Sequence, residues 1–132
     1  MTSLKPGLSG RAEMTVGEEH TAESVGSGRV GVLATPVMIN LIEAAALEAI
    51  EVHLPEGHQS LGTRLDVSHT AATPVGMRVS ASADLVRVDG RVLHFRVRAE
   101  DEVEEIGAGS HERIVVNVGK FAGRVARKLT AE

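Results

Sequence analysis

Between Thr35 and His53 the apolar residues recur at helical spacing. Val37, Met38, Leu41, Ile42, Ala45 and Ala49 form one stripe, and Ile39, Ala46, Leu47 and Ile50 widen it almost all the way round. The pattern predicts a buried helix of roughly 18 residues, about 27 Å long at 1.5 Å per residue. Thr35-Pro36 is a start signal, with threonine as N-cap and proline where its missing N–H costs nothing. His53-Leu54-Pro55-Glu56-Gly57 stops the helix. Beyond it the period drops to two. Ser60–His69 alternates, with Leu61, Thr63, Leu65, Val67 and His69 expected on the core face. Met77–Val88 reads as a further strand, and Asp89-Gly90 as a hairpin turn into Arg91–Ala99. In that partner Leu93, Phe95, Val97 and Ala99 point one way, and Val92, His94, Arg96 and Arg98 the other. Glu105–Val118 is the last long strand, with Ile106, Ala108, Ser110, Glu112, Ile114 and Val116 on one face.

The ends are less regular. Residues 1–9, broken by Pro6 and Gly7, read as a flexible N-terminal arm, and 10–132 as a single domain. Gly10–Thr15 is a short strand, Glu18–Gly31 a polar, glycine-rich surface loop, and 119–130 a short terminal helix. One buried helix against four or five mostly antiparallel strands is an α+β arrangement.

Composition narrows the chemistry. The 132 residues suit one domain, and 42% hydrophobic with 24% charged residues is the usual globular balance. Two Phe, with no Trp or Tyr, leave Val, Leu, Ile and Ala to fill the core, so any pocket is aliphatic and narrow. The absence of Cys removes disulfides, thiolate nucleophiles and Cys-type zinc sites. A net charge of −4 argues against a nucleic-acid partner. Arg124, Arg127 and Lys128 form one local basic cluster, read as a solvated helix face. No apolar run is long enough to cross a bilayer, and MTSLKPGLSG lacks the apolar segment of a signal peptide. A cytoplasmic protein with no membrane partner is expected.

Three residues stand out. Thr35 has a sufficient structural task as a cap. Glu43 lies two turns into an otherwise apolar helix, among Ile39, Asn40, Ala46 and Leu47, where a carboxylate needs a partner or a raised pKa. The alternative is exposure through a gap in the packing. His69 closes the alternating strand and is followed by Thr70-Ala71-Ala72-Thr73, which leaves space beside the imidazole. A core histidine satisfied by hydrogen bonds is the competing reading. The six His show no metal-ligand spacing, and no phosphate loop or nucleophile elbow is present. His20 and His94 read as exposed, His53 and His58 as flanking a turn, and His111 as facing opposite Glu112.

The helix opening ATPVMINLIEAAA, the GT-strand ending in SHTAATP, the DG hairpin and the later GSHERIV strand occur in order over roughly residues 15–127. In this the chain resembles the hotdog-fold acyl-CoA thioesterases, and within them the fluoroacetyl-CoA thioesterase-like group. The resemblance implies a long central helix wrapped by a mostly antiparallel five-stranded sheet. It also implies a homodimer, or a tetramer built from it, in which the two sheets run on as one and each site uses both subunits. The catalytic set it implies is Thr35, Glu43 and His69, with Gly62 and Arg113 at the substrate. In the fluoroacetyl specialist the loop before the helix supplies bulky aromatics that close over the acyl group. Here that loop is SVGSGRVGVLAT, with Gly26 and Arg29 at the corresponding positions. A short- or medium-chain acyl-CoA is therefore the expected substrate, rather than fluoroacetyl-CoA.

Hydrolysis of a thioester needs an activated nucleophile and a stabilised oxyanion. Glu43 is expected to act as base or nucleophile, His69 to orient water or protonate the leaving thiolate, and Thr35 to hold one of them. Thr35 as a covalent nucleophile is the other route. No metal or cofactor is called for beyond the coenzyme A of the substrate, whose phosphates Arg29, Arg64, Arg78 or Lys120 could meet. Aliphatic residues Val25, Val30, Val32 and Leu33 are expected at the acyl pocket. The rival readings are a non-catalytic acyl-CoA-binding hotdog protein and an acyl-CoA hydratase or dehydratase. The latter would carry a different Asp/His motif, which is absent.

Overall fold

In the computed structural model, which describes residues 3–131, five strands surround one long helix. The strands are β1 (Ser9–Thr15), β2 (His58–His69), β3 (Arg78–Asp89), β4 (Val92–Asp101) and β5 (Glu105–Asn117). The helices are α1 (Ala22–Val25), α2 (Thr35–Ile50) and α3 (Val118–Ala126). The sheet runs β1-β3-β4-β5-β2, with every neighbouring pair antiparallel. Asp89 pairs with Val92 around a two-residue turn, where Gly90 takes the positive φ of 63° that its position requires.

The core forms where α2 lies on the sheet. Met38, Ile42, Ala45, Ala46, Ala49 and Ile50 meet Val79, Ala81, Ala83 and Leu85 of β3 and Leu93, Phe95, Val97 and Ala99 of β4. The two faces read from β4 are those observed. Alanine dominates the helix side because the backbones come close. At Gly10 a Cβ would run into the carbonyl of Ala45 and the amide of Ala49. The helix is less wrapped than its apolar pattern suggests, since Asn40, Ala44 and Glu48 lie on an exposed side.

Three local expectations give way to the structure. The first is the helix cap. Ala34, with φ −72° and ψ 141°, takes the N-cap position and Thr35 is the first helical residue. Backbone bonds from Leu33 to Thr73 and from Ala34 to His20, each 2.9 Å, hold the entering chain extended, so no side-chain cap forms. The second is the face of β2. Thr63 is an extra residue: Gly62 pairs with Arg113 and Arg64 with Glu112, a β-bulge that resets the alternation. Ser60 and Gly62 therefore share the inner face with Leu65, Val67 and His69, while Leu61 turns outward. The third is β5, where Ile106 parts from the face that Ala108, Ser110, Glu112, Ile114 and Val116 share; the opposite, inner face carries His111, Arg113 and Val115, all buried. Ile106 reaches the core because it is the extra residue of a bulge opposite Ala99 and Glu100.

The stretch read as an N-terminal arm touches the domain at two points. Leu4 is 6% exposed and belongs to the core, and Ser3 Oγ donates to the carbonyl of His53 at 3.0 Å. At the other sheet edge β2 has one neighbour, β5, and leaves Leu61 and Leu65 about 40% uncovered, one on each face.

Candidate active site

The candidate side chains fall into two groups. The first sits where the extended entry to α2 meets the end of β2. Because Thr35 does not cap the helix, its hydroxyl is free, and Oγ1 lies 2.7 Å from Nδ1 of His69. Where the hydroxyl donates, Nδ1 is the lone pair that can take its proton. The other ring nitrogen, Nε2, is buried without a hydrogen-bond partner among the described residues. A buried, unspent imidazole nitrogen beside a paired hydroxyl is the arrangement acid–base chemistry uses. The pair opens onto a hollow of about 270 Å³ bounded by Arg29, Val30, Val32, Leu33, Ala71 and Ala72. The small residues after His69 do clear space beside it.

Burial lowers the His69 pKa from its ordinary 6.5, partly offset by a backbone hydrogen bond at Ala71. The imidazole is then neutral at pH 7. Between that folded value and 6.5 the unfolded chain binds the proton more readily, so stability falls as pH drops through this window. We expect the denaturant midpoint to be lower at pH 5.5 than at pH 7, with His69→Gln reducing the difference.

The second group forms under the bulge of β2. Arg113 Nη1 lies 3.1 Å from Glu43 Oε2, and the same nitrogen donates to Nε2 of His111 at 3.1 Å. On its other edge the guanidinium grips Ser60, Nε to Oγ at 2.8 Å and Nη2 to the carbonyl at 3.1 Å. All but one of its N–H donors are thus engaged within the protein. Burial lowers the Arg113 pKa while Glu43 raises it, and a guanidinium so placed remains a cation. The Glu43 side chain is 33% exposed, so the helical carboxylate has both a partner and a path to solvent. Gly62 faces it directly: a Cβ there would collide with Glu43 Oε2 and lie 3.1 Å from His111 Cε1.

The structure therefore joins Thr35, His69 and Arg29 at one hollow, and Glu43, Gly62 and Arg113 in another cluster. Within one chain the two do not meet. Thr35 and Glu43 are eight residues apart on α2, about 12 Å along its axis. His111 did not stand out because its position opposite Glu112 does not say which face of β5 meets the core. Its place between Ser110 and Glu112, two residues before a paired arginine, was the signal available. A larger hollow of about 440 Å³ lies on the outer sheet face among Ser82, Asp84, Arg96, Arg98 and Glu105, away from both groups. Among the described residues no cluster of His, Asp or Glu is placed to hold a metal ion, and no helix is long and apolar enough to cross a membrane.

A long helix held in a five-stranded antiparallel sheet, with these two groups along β2, is the architecture of a hotdog-fold acyl-CoA thioesterase. Known proteins agree with it. The sequence profile of the FlK family, described as fluoroacetyl-CoA-specific thioesterase, matches residues 16–119. The fluoroacetyl-CoA thioesterase of Streptantibioticus cattleyicolor is 47% identical over 100 residues, covering 76% of this chain and 72% of that protein. A threonine-to-serine variant of FlK, solved in complex with acetyl-CoA, is similar with a TM-score of 0.89 at 37% identity, covering 95% of this chain and 98% of that one. A thioesterase-superfamily protein of Thermus thermophilus reaches the same TM-score, 0.89, at 28% identity over the whole of both chains. The chain belongs to the fluoroacetyl-CoA-specific thioesterase family, and it is an acyl-CoA thioester hydrolase.

Proposed function

We propose that this enzyme hydrolyses short- or medium-chain acyl-CoA thioesters in the cytoplasm, using Thr35, Glu43 and His69, and that its complete site forms between two copies of the chain. The observation that carries the reading is the 2.7 Å Thr35–His69 pair at the mouth of an aliphatic hollow. Val30, Val32 and Leu33 line it, and no aromatic residue does, so nothing bulky is present to close over a two-carbon fluorinated acyl group. Arg29 borders the hollow and would meet the phosphates of coenzyme A.

The separation of Glu43 from His69 sets the form of the assembly. Antiparallel pairing of two β2 edges about an axis through Asp66, with Thr63 bulged out of the ladder, would set Gly62 of one copy opposite His69 of the other. Glu43 and the Gly62 backbone would then face the Thr35–His69 pair of the second copy. The exposed side of α2 at Asn40 and Ala44 fits a neighbour there, and the exposure of Leu61 and Leu65 fits an edge that continues. Glu43 takes a proton from water as the oxygen attacks the thioester carbon. A backbone N–H near Gly62 holds the oxyanion, neutral His69 orients the water, and the proton taken by Glu43 passes to the departing thiolate as the C–S bond breaks.

The short Thr35–His69 contact also favours a second route, in which His69 takes the hydroxyl proton and Thr35 forms an acyl ester. Acid-quenched mass spectrometry separates the two. An adduct of one acyl group on Thr35, absent in Thr35→Val, supports the ester; turnover without it supports direct attack by water.

Thiol release from acetyl-, butyryl-, octanoyl-, phenylacetyl- and fluoroacetyl-CoA tests the substrate class. Selective hydrolysis of fluoroacetyl-CoA would overturn the reading. Shared sites are tested by mixing two inactive variants, Glu43→Ala and His69→Ala, and letting subunits exchange. Random reassortment should restore about a quarter of wild-type activity, because half the molecules are hybrids with one intact site of two. No recovery on mixing would place the whole site in one chain.

A further inference from the structure

His111 has no role in the reaction so far described, yet its chemistry is tightly determined. The residue is 1% exposed at the centre of β5, and its ring stacks on Phe95 with centroids 5.9 Å apart. Nδ1 lies 2.8 Å from the carbonyl of Arg64. A carbonyl only accepts, so Nδ1 carries the hydrogen. Nε2 lies 3.1 Å from Arg113 Nη1, and a guanidinium only donates, so Nε2 presents its lone pair. Two neighbours on different strands thus select one neutral tautomer.

The surroundings support that state. Burial and the Arg113 charge oppose protonation, whereas the Arg64 carbonyl, Glu43 and Glu112 favour it, and the balance lowers the His111 pKa from its ordinary value. Glu43 comes from α2, Glu112 and Arg113 from β5, the Arg64 carbonyl from β2, and Phe95, which is uncharged, from β4. Placing a proton on Nε2 would also set it against an Arg113 N–H.

We propose that His111 is a positioning residue: neutral, with its lone pair on Nε2, it shares Arg113 Nη1 with Glu43 and so fixes the carboxylate that acts on the thioester. Ser60 holds the opposite edge of the guanidinium, so Arg113 cannot turn to follow the carboxylate. Glu43 Oε2 is anchored and Oε1 remains for water. Gly62 serves the same end by leaving no Cβ in the carboxylate's place. Arg113 acts through Glu43 rather than on the substrate itself, and in this it differs from the substrate contact that the family resemblance implies. The proposal rests on Glu43 having the role assigned above.

The test combines ring 15N NMR with two variants. At pH 7 the His111 ring should show Nδ1 protonated and Nε2 bare. His111→Phe keeps the ring volume and the Phe95 contact but removes the acceptor. Its kcat should fall about 10- to 100-fold with KM changed less than about threefold, as for a group acting on the chemical step. His111→Gln can place an amide oxygen where Nε2 was and does not titrate. It should recover most of kcat and remove one ionisation from the acid limb of the pH profile. A folded His111→Phe with kcat within twofold of wild type would overturn the proposal, as would an Nε2-protonated ring or an imidazolium at pH 7. Should His111→Phe not fold, the His111→Gln profile and the wild-type spectrum decide. If the wild-type enzyme turns over but Glu43→Ala does so equally well, the assignment of Glu43 has failed, and the positioning role falls with it. The ring spectra need no turnover and report the tautomer separately.

Discussion

His69→Ala is expected to lower kcat for thioester hydrolysis by more than ~10²-fold while leaving the fold intact, and Glu43→Ala to do the same. The His69 ring is partly exposed at the edge of the molecule and is held by one side-chain hydrogen bond, to Thr35. Its removal empties space beside Ala71 without opening the core beneath β3 and β4. The loss should therefore appear in turnover, with circular dichroism and the denaturant midpoint little changed. The acid limb of kcat/KM should lie below pH 6.5, because burial keeps the imidazole neutral to lower pH than a free histidine. Glu43→Ala differs in one respect. It leaves the buried guanidinium of Arg113 without its carboxylate, so some stability is lost along with activity. Glu43→Gln keeps the shape and separates the two effects. Near-wild-type turnover in both alanine variants would remove the acid–base mechanism.

The largest stability effect is expected far from the site. Gly10→Ala would bring a methyl group against the Ala45 carbonyl and the Ala49 amide and within 2.9 Å of the Ala49 Cα, all of them backbone atoms. A side chain can rotate away from such an intrusion, but a helix in mid-turn cannot. Strand and helix would have to separate, and overpacking of this kind costs about 3 kcal/mol or more. For a domain of this size the melting temperature should fall by roughly 10 °C. An unchanged melting temperature would show that β1 can move off α2 at little cost.

Much of this was legible in the residues, and the failures share a cause. The α2 stripe, the Asp89-Gly90 turn and the inner face of β4 follow from periods that run unbroken. The faces of β2 and β5 did not, because bulges at Thr63 and Ile106 shift the alternation by one residue and leave no mark in hydrophobicity. Thr35 was misread as a cap because the residue type suits that task, whereas the entering backbone, held by Thr73 and His20, decides it. Distant bonds of that kind are not visible along the chain. Glu43 and His69 stood out because a carboxylate in an apolar helix and an imidazole beside alanines conflict with local preference, and such conflicts mark sites where chemistry overrides packing.

The sheet order also bears on how the molecule comes together. β3, β4 and β5 are consecutive and close as a meander through short turns, whereas β2 waits for β5, pairing His58 with Asn117 across nearly half the chain. Long loops close late, so the two edge strands should dock after the meander and open before it: β1, which pairs Ser9 with Asp84 of β3, and β2. Both candidate groups border β2, one at His69 and the other at Gly62. Its amides should exchange hydrogen faster than those of β3, β4 and β5 in the free protein and slow sharply when a substrate analogue is bound. Occupying the site would then complete the folding of the enzyme.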